Sequence, residues 1–237
     1  VMDHDADPDG NAASGNAFVC NARFADAKFF YETDRRHPLR SRLDMLDHLQ
    51  FQEKLGSYRE KTRRIVSVAA AIHEKSGSPV DAANLAAAAE ICKCDLVTEM
   101  VKEFTDLQGQ IGGIYAREEG LPENVWSAVY DHYKPLSVDG DVPRNESGAI
   151  VSMSDKLDTL CGFFAIGQKP TGSKDPFALR RAAQGIVQIL LHRDGWKIDL
   201  GIDALIDAGL EGYYGHLSDQ NRDQIRHELR DFFAERV

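Results

Sequence analysis

Between Ile150 and Phe164 the apolar residues Ile150, Met153, Leu157, Leu160 and Phe164 recur at steps of three and four. Such a stripe commits one face of a helix to a core. It stops at Gly167, and the polar loop QKPTGSKDP that follows holds Pro170, Gly172 and Pro176, none of which continues a helix comfortably. Asp175 before Pro176 is a start signal, a capping carboxylate followed by a fixed φ in the first helical position. Phe177, Leu179, Ala183, Ile186, Val187 and Leu190 then make a second amphipathic face. The chain is thus organised around a helix–loop–helix corner, Ser154 to Arg181.

The remaining segments read as helices joined by short links. Phe18, Ala22, Ala25, Phe29 and Phe30 fit a helix over 17–34, and Leu39, Leu43, Leu46 and Leu49 fit a second after Pro38. Residues 58–75 predict a helix with a basic first half. Residues 80–104 read as one long alanine-rich helix, whose small side chains suit close helix contact. Further helices are expected over 107–119, where Gly109, Gly112 and Gly113 weaken the pattern, over 122–133, over 199–209 and over 218–236, with Ser218 as a cap. No strand and no internal repeat is evident, so the fold class is all-α. The expected organisation is an acidic, flexible segment at 1–16, a helical domain at 17–195 and a C-terminal helical appendage at 196–237.

Composition excludes several classes. No apolar run approaches the roughly 20 residues of a membrane span, and no N-terminal signal pattern is present. Cys20, Cys92, Cys94 and Cys161 do not have the spacing of a redox or zinc hook, so they are read as thiols of a reducing, cytoplasmic compartment. His4 among Asp3, Asp5 and Asp7 is read as a solvated acidic end rather than a metal tract. The formal net charge of −10 argues against indiscriminate nucleic-acid binding. Against that background Lys169, Lys174, Arg180 and Arg181 surround a single carboxylate, Asp175. With the hydroxyls of Thr171 and Ser173 and the start of a helix, they form a candidate phosphate-binding corner. The alternative reading makes the lysines ordinary surface residues and pairs the arginines with Asp155, Asp158 or Glu103.

One arrangement suggests catalysis. A helix with a basic start is followed by a helix ending in Cys94-Asp95 and later by Asp155 on an apolar helix. This order resembles the HD superfamily of α-helical metal-dependent phosphohydrolases, in which His and Asp side chains hold a divalent ion that activates water. Here Cys94 replaces the His of the pair, and Lys61 stands where the first His is expected. A protonated Lys has no lone pair for a metal. Lys61, Cys94, Asp95 and Asp155 are therefore read as a degenerate site with no metal and no catalytic residue, and His73 and His132 as structural or solvated. A metal-dependent phosphohydrolase is the alternative. No Walker loop, dinucleotide fingerprint, H-E-x-x-H or G-x-S-x-G elbow occurs.

Longer stretches carry a more specific resemblance. CKCDLVTEMVKEFTDLQGQIGGIYA (92–116) and SDKLDTLCGFFAIGQKPTGSKDPFALRRAAQGIVQIL (154–190) are similar to the β subunits of bacterial glycyl-tRNA synthetases. GNAFVCNARFADAKFFYETD (15–34) and LQFQEKLGSYREKTRRI (49–65) resemble the same family in the same order. Cys94 and Ala22-Arg23-Phe24 depart from the family pattern. The resemblance implies an internal fragment covering an HD-like helical bundle with flanking helices. It also implies a role in charging glycine-specific tRNA, with ATP and magnesium used by the complete enzyme and chemistry carried by a partner α subunit. This chain would then be a non-catalytic tRNA-binding part, or a structural module that docks the α subunit.

Overall fold

The computed structural model describes residues 7, 10–171, 174–192, 196, 198–213 and 219–236. Its α-helices are α1 (Asn11–Asp34), α2 (Tyr58–Ser76), α3 (Ala82–Ile91), α4 (Glu99–Glu103), α5 (Gln110–Glu118), α6 (Glu123–Asp131), α7 (Glu146–Ala165), α8 (Leu179–Leu191), α9 (Ile202–Glu211) and α10 (Asp219–Ala234). The fold is all-α, with one correction to the expected absence of strands. The link after Leu49 closes as a two-stranded antiparallel hairpin, β1 (Gln50–Gln52) and β2 (Gly56–Ser57). Leu39–His48 is a 3₁₀ helix that buries Leu39, Leu43 and Leu46.

α7 is the axis of the molecule. Ile150, Met153, Leu157 and Leu160 are fully buried and Phe164 nearly so, as the stripe predicts. Less predictably, the opposite face is buried too: Ser152, Ser154, Asp155 and Asp158 sit inside as well, because α2, α6, α8 and α9 pack around the helix. The helix ends in a Schellman-type cap. Gly167 at φ 74 lets its N–H reach Phe164 O and the Gln168 N–H reach Phe163 O, at 3.0 and 2.9 Å. α9 and α10 join the same core through Leu205, Ile206, Leu229 and Phe233.

Two expected boundaries move. α1 begins at Asn11, six residues before the apolar pattern signals it, so helix runs into the segment read as flexible. The single helix expected over 80–104 is broken. α3 stops at Ile91, Cys94–Val97 forms a 3₁₀ turn and α4 starts after Thr98. Tertiary caps hold the break open: the Asp34 carboxylate at the end of α1 accepts the Glu99 and Met100 N–H groups at 3.0 and 2.9 Å, a carboxylate at the positive end of a helix. The glycines of α5 serve close packing. A Cβ on Gly113 would lie 2.4 Å from the Tyr130 Cβ on α6. Ser218, the expected cap of α10, lies outside the described residues.

Candidate functional site

The degenerate quartet does not come together as a metal site. Lys61 and Arg64, one turn apart on α2, face Asp155 and Asp158, one turn apart on α7. The Lys61 ammonium lies 2.9 Å from Asp155 Oδ1 and 3.0 Å from Asp158 Oδ2, and donates to the Thr159 hydroxyl at 2.8 Å. Lys93, just before the 3₁₀ turn, holds Asp155 Oδ2 at 2.8 Å. Arg64 Nε and the Tyr213 hydroxyl both donate to Asp158 Oδ1, at 2.6 and 2.8 Å. Lys61 and Lys93 are 2 % and 1 % exposed. Each ammonium also sits over a ring, Phe51 at 4.5 Å and Tyr133 at 3.8 Å from the centroids. Burial alone would raise the Asp155 carboxyl, but Lys61 and Lys93 outweigh it and hold it well below the usual carboxylate range.

Asp95 points elsewhere. Its Oδ2 accepts the N–H groups of Gly109 and Gly112, the latter at 3.2 Å. Burial nonetheless pushes its carboxyl up to about 6. Burial also pushes the Cys94 thiol up, so it stays protonated at neutral pH. These four groups do not fit a divalent ion: one carboxylate is held by two ammoniums, the other by two amides, and the thiol keeps its proton. His132 donates from Nδ1 to Val129 O at 2.6 Å, and His73 Nε2 contacts Val80 O at 2.8 Å. Among the described residues no three His, Cys, Asp or Glu side chains are grouped to hold a metal.

Sequence reasoning found Lys61 and Asp155 but missed Lys93, Arg64 and Asp158 as their partners. The signal was present: two cations three apart on one helix and two carboxylates three apart on another. The carboxylates named in the alternative reading of the arginines have other partners. Asp155 and Asp158 serve Lys61, Lys93 and Arg64, and Glu103 pairs with Arg23.

The basic corner lies at the far end of α7. Thr171 and Lys174 pair through reciprocal backbone bonds of 3.1 and 2.9 Å. Ser173 lies outside the described residues. Lys169 is paired with Glu228 of α10, whereas Lys174 and Arg181 are exposed. The helix starts at Leu179, three residues later than the Asp-Pro signal indicates, after Ala178 in the left-handed region. Asp175 still caps it, accepting the Leu179 and Arg180 N–H groups at 2.8 and 2.9 Å. Those donors are therefore taken, and an anion at this corner must be held by side chains.

No described helix is long and apolar enough to cross a membrane. Residues 1–237 match the family profile described as glycyl-tRNA synthetase beta subunit. The chain is 45% identical over 220 residues to a glycine–tRNA ligase beta subunit of Janthinobacterium sp. (strain Marseille), covering 93% of this chain and 31% of that protein. It is 43% identical over 223 residues to the beta subunit of Acidithiobacillus ferrooxidans (strain ATCC 53993 / BNL-5-31), covering 94% and 31%. Trichodesmium erythraeum (strain IMS101) has a beta subunit 42% identical over 228 residues, covering 95% and 31%. The chain thus spans about a third of the length of the curated relatives it matches. With these matches running through both the buried ionic cluster and the basic corner, the chain belongs to the glycyl-tRNA synthetase β-subunit family.

Proposed function

We propose that this chain is a tRNA-recognising, non-catalytic part of a glycine–tRNA ligase β subunit. It supports ATP- and magnesium-dependent glycine attachment carried out on a partner α subunit, in the cytoplasm. The observation that carries the reading is the exposed cationic corner on a strongly acidic chain. Lys174 and Arg181 face solvent there. Guanidinium groups suit a phosphodiester backbone, and such contacts position an RNA without reading its sequence. Lys169, already paired with Glu228, contributes least. The bundle is HD-like with its metal chemistry replaced by buried ion pairs, which favours recognition over hydrolysis.

The test is a titration with glycine-specific tRNA at several salt concentrations. The Lys169→Ala, Lys174→Ala, Arg180→Ala, Arg181→Ala quadruple variant should bind more weakly. Its salt slope should fall by roughly 0.7–0.9 for each phosphate that is no longer neutralised. An unchanged affinity and slope would refute the role of this corner. Absence of binding by either form would favour the docking module instead, a reading supported by the exposed Phe18, Val19 and Phe24 on α1.

A further inference from the structure

A second feature lies between the basic corner and the buried ion pairs. A cavity of about 390 Å³ opens beside α7 and α8, within the size range of small-molecule sites. Its lining combines the apolar or aromatic Tyr133, Pro135, Leu136 and Phe177 with the polar Gln108, Lys156 and Arg181. Phe177 stacks on Phe163 with ring centroids 4.1 Å apart and an interplanar angle of 28°. That contact leaves Phe177 still 42 % exposed.

The charge on this cavity is unbalanced. Lys156 is 9 % exposed, and its ammonium is bonded to neutral acceptors: Tyr133 O, Lys134 O and the Ser152 hydroxyl, at 3.1, 2.9 and 2.7 Å. Gly185 on α8 makes room for its stem, since a Cβ there would lie 2.9 Å from Lys156 Cε. Asp155 also lines the cavity, but it already serves Lys61 and Lys93. Of the charged residues lining the cavity, Lys156 and Arg181 are cations and Asp155 is the carboxylate. Burial pushes the Lys156 amine down to about 7, helped by Lys93 and Lys61 and opposed by Asp155. Those three acceptors take all the Lys156 protons, so its charge acts on the cavity through space, and the exposed Arg181 is the cation with donors for an anion.

We infer that this cavity takes one phosphate-bearing nucleotide unit, its base against Phe177, Pro135 and Leu136 and its phosphate held by Arg181 in the field of the Lys156 charge. Aromatic stacking suits any base, Gln108 offers an amide to a base edge, and the cations answer the phosphate. The unit is either a free mononucleotide or an unpaired nucleotide of an RNA. The RNA case rests on the tRNA-binding reading above; the free-nucleotide case does not.

The experiment measures binding of adenosine and guanosine monophosphate, and of a single-stranded RNA hexanucleotide, to this 237-residue chain by calorimetry. Adenosine and inorganic phosphate serve as half-ligand controls. Ala182→Phe fills the cavity from α8 without removing a cation, and Lys156→Met removes the buried charge; thermal melting verifies that each folds. We expect a monophosphate or the hexanucleotide to bind more tightly than either half-ligand, with at least a tenfold loss in Ala182→Phe. Loss of monophosphate binding with tRNA affinity intact identifies a free nucleotide as the occupant, and loss of both identifies an RNA nucleotide. Undiminished binding by Ala182→Phe, or no binding of either probe to the unmodified chain, overturns the inference. In that event salt-dependent tRNA binding that disappears in a Lys169→Ala, Lys174→Ala, Arg180→Ala triple variant still supports the surface reading by itself.

Discussion

Asp155 and Asp95 are both buried carboxyls, yet their surroundings push them in opposite directions. Asp155 has two ammoniums within 2.9 Å, and its charge is stabilised. Asp95 has two backbone amides and a bare, unpartnered Oδ1, and its charge is penalised. The sign of each contribution to stability follows. Asp155, with its folded pKa lowered, stabilises the fold above the ordinary 3.8, and that contribution is lost as pH falls below it. Asp95, raised to about 6, contributes fully below 3.8, and its contribution is lost as pH rises to about 6. The gap is worth roughly 3 kcal/mol. Asp95→Asn keeps an acceptor for Gly109 and Gly112 without the charge. Its melting temperature relative to the unmodified chain should therefore rise between pH 4 and pH 6 and level off above. A flat difference across that range would show that the Asp95 carboxyl is not raised. Lys61 and Asp155 were each legible as positions of a degenerate metal-binding pattern, but their pairing was not. Which residues meet them is not local information: Lys93 reaches Asp155 across 62 positions and Lys61 reaches Asp158 across 97, so the spacing of charges on each helix hints at a pair without naming it.

At the level of elements, legibility depended on whether a boundary is set by its own residues. Ser57 and Glu60 form a capping box at the start of α2, and α2 lies where its pattern puts it. Gly167 ends α7 by a local device as well. The break between α3 and α4 is different. Residues 80–104 have the propensity of one helix, and the interruption combines a local cap, the Thr98 hydroxyl accepting the Val101 N–H at 3.2 Å, with Asp34, delivered by another helix to the Glu99 and Met100 amides. The hairpin over 50–57 is equally illegible, since each strand is only two or three residues long. The α7 stripe, by contrast, is legible in full and carries a stability claim. Phe164 is 3 % exposed and meets the Phe232 ring edge-on at 5.1 Å. Phe164→Ala should cost about 3–5 kcal/mol in chemical denaturation. Retained stability would mean that α10 does not depend on this ring pair.

Over the whole molecule, a net charge of −10 coexists with a cationic corner and a cavity whose cations outnumber its carboxylates. Long-range repulsion from the acidic surface is screened within about 8 Å at physiological salt, so the local cations decide which anions settle there. The buried ion pairs engage Asp155 and Asp158 inside the bundle, and the proposed recognition role falls to the exposed surface. The most direct measurement of that division is steady-state glycine charging by the assembled ligase carrying the quadruple alanine substitution at Lys169, Lys174, Arg180 and Arg181. A recognition role predicts a raised KM for tRNA, in parallel with the loss of affinity, and a kcat close to that of the unmodified enzyme. A fall in kcat at unchanged KM would contradict it, placing these residues in the chemical step.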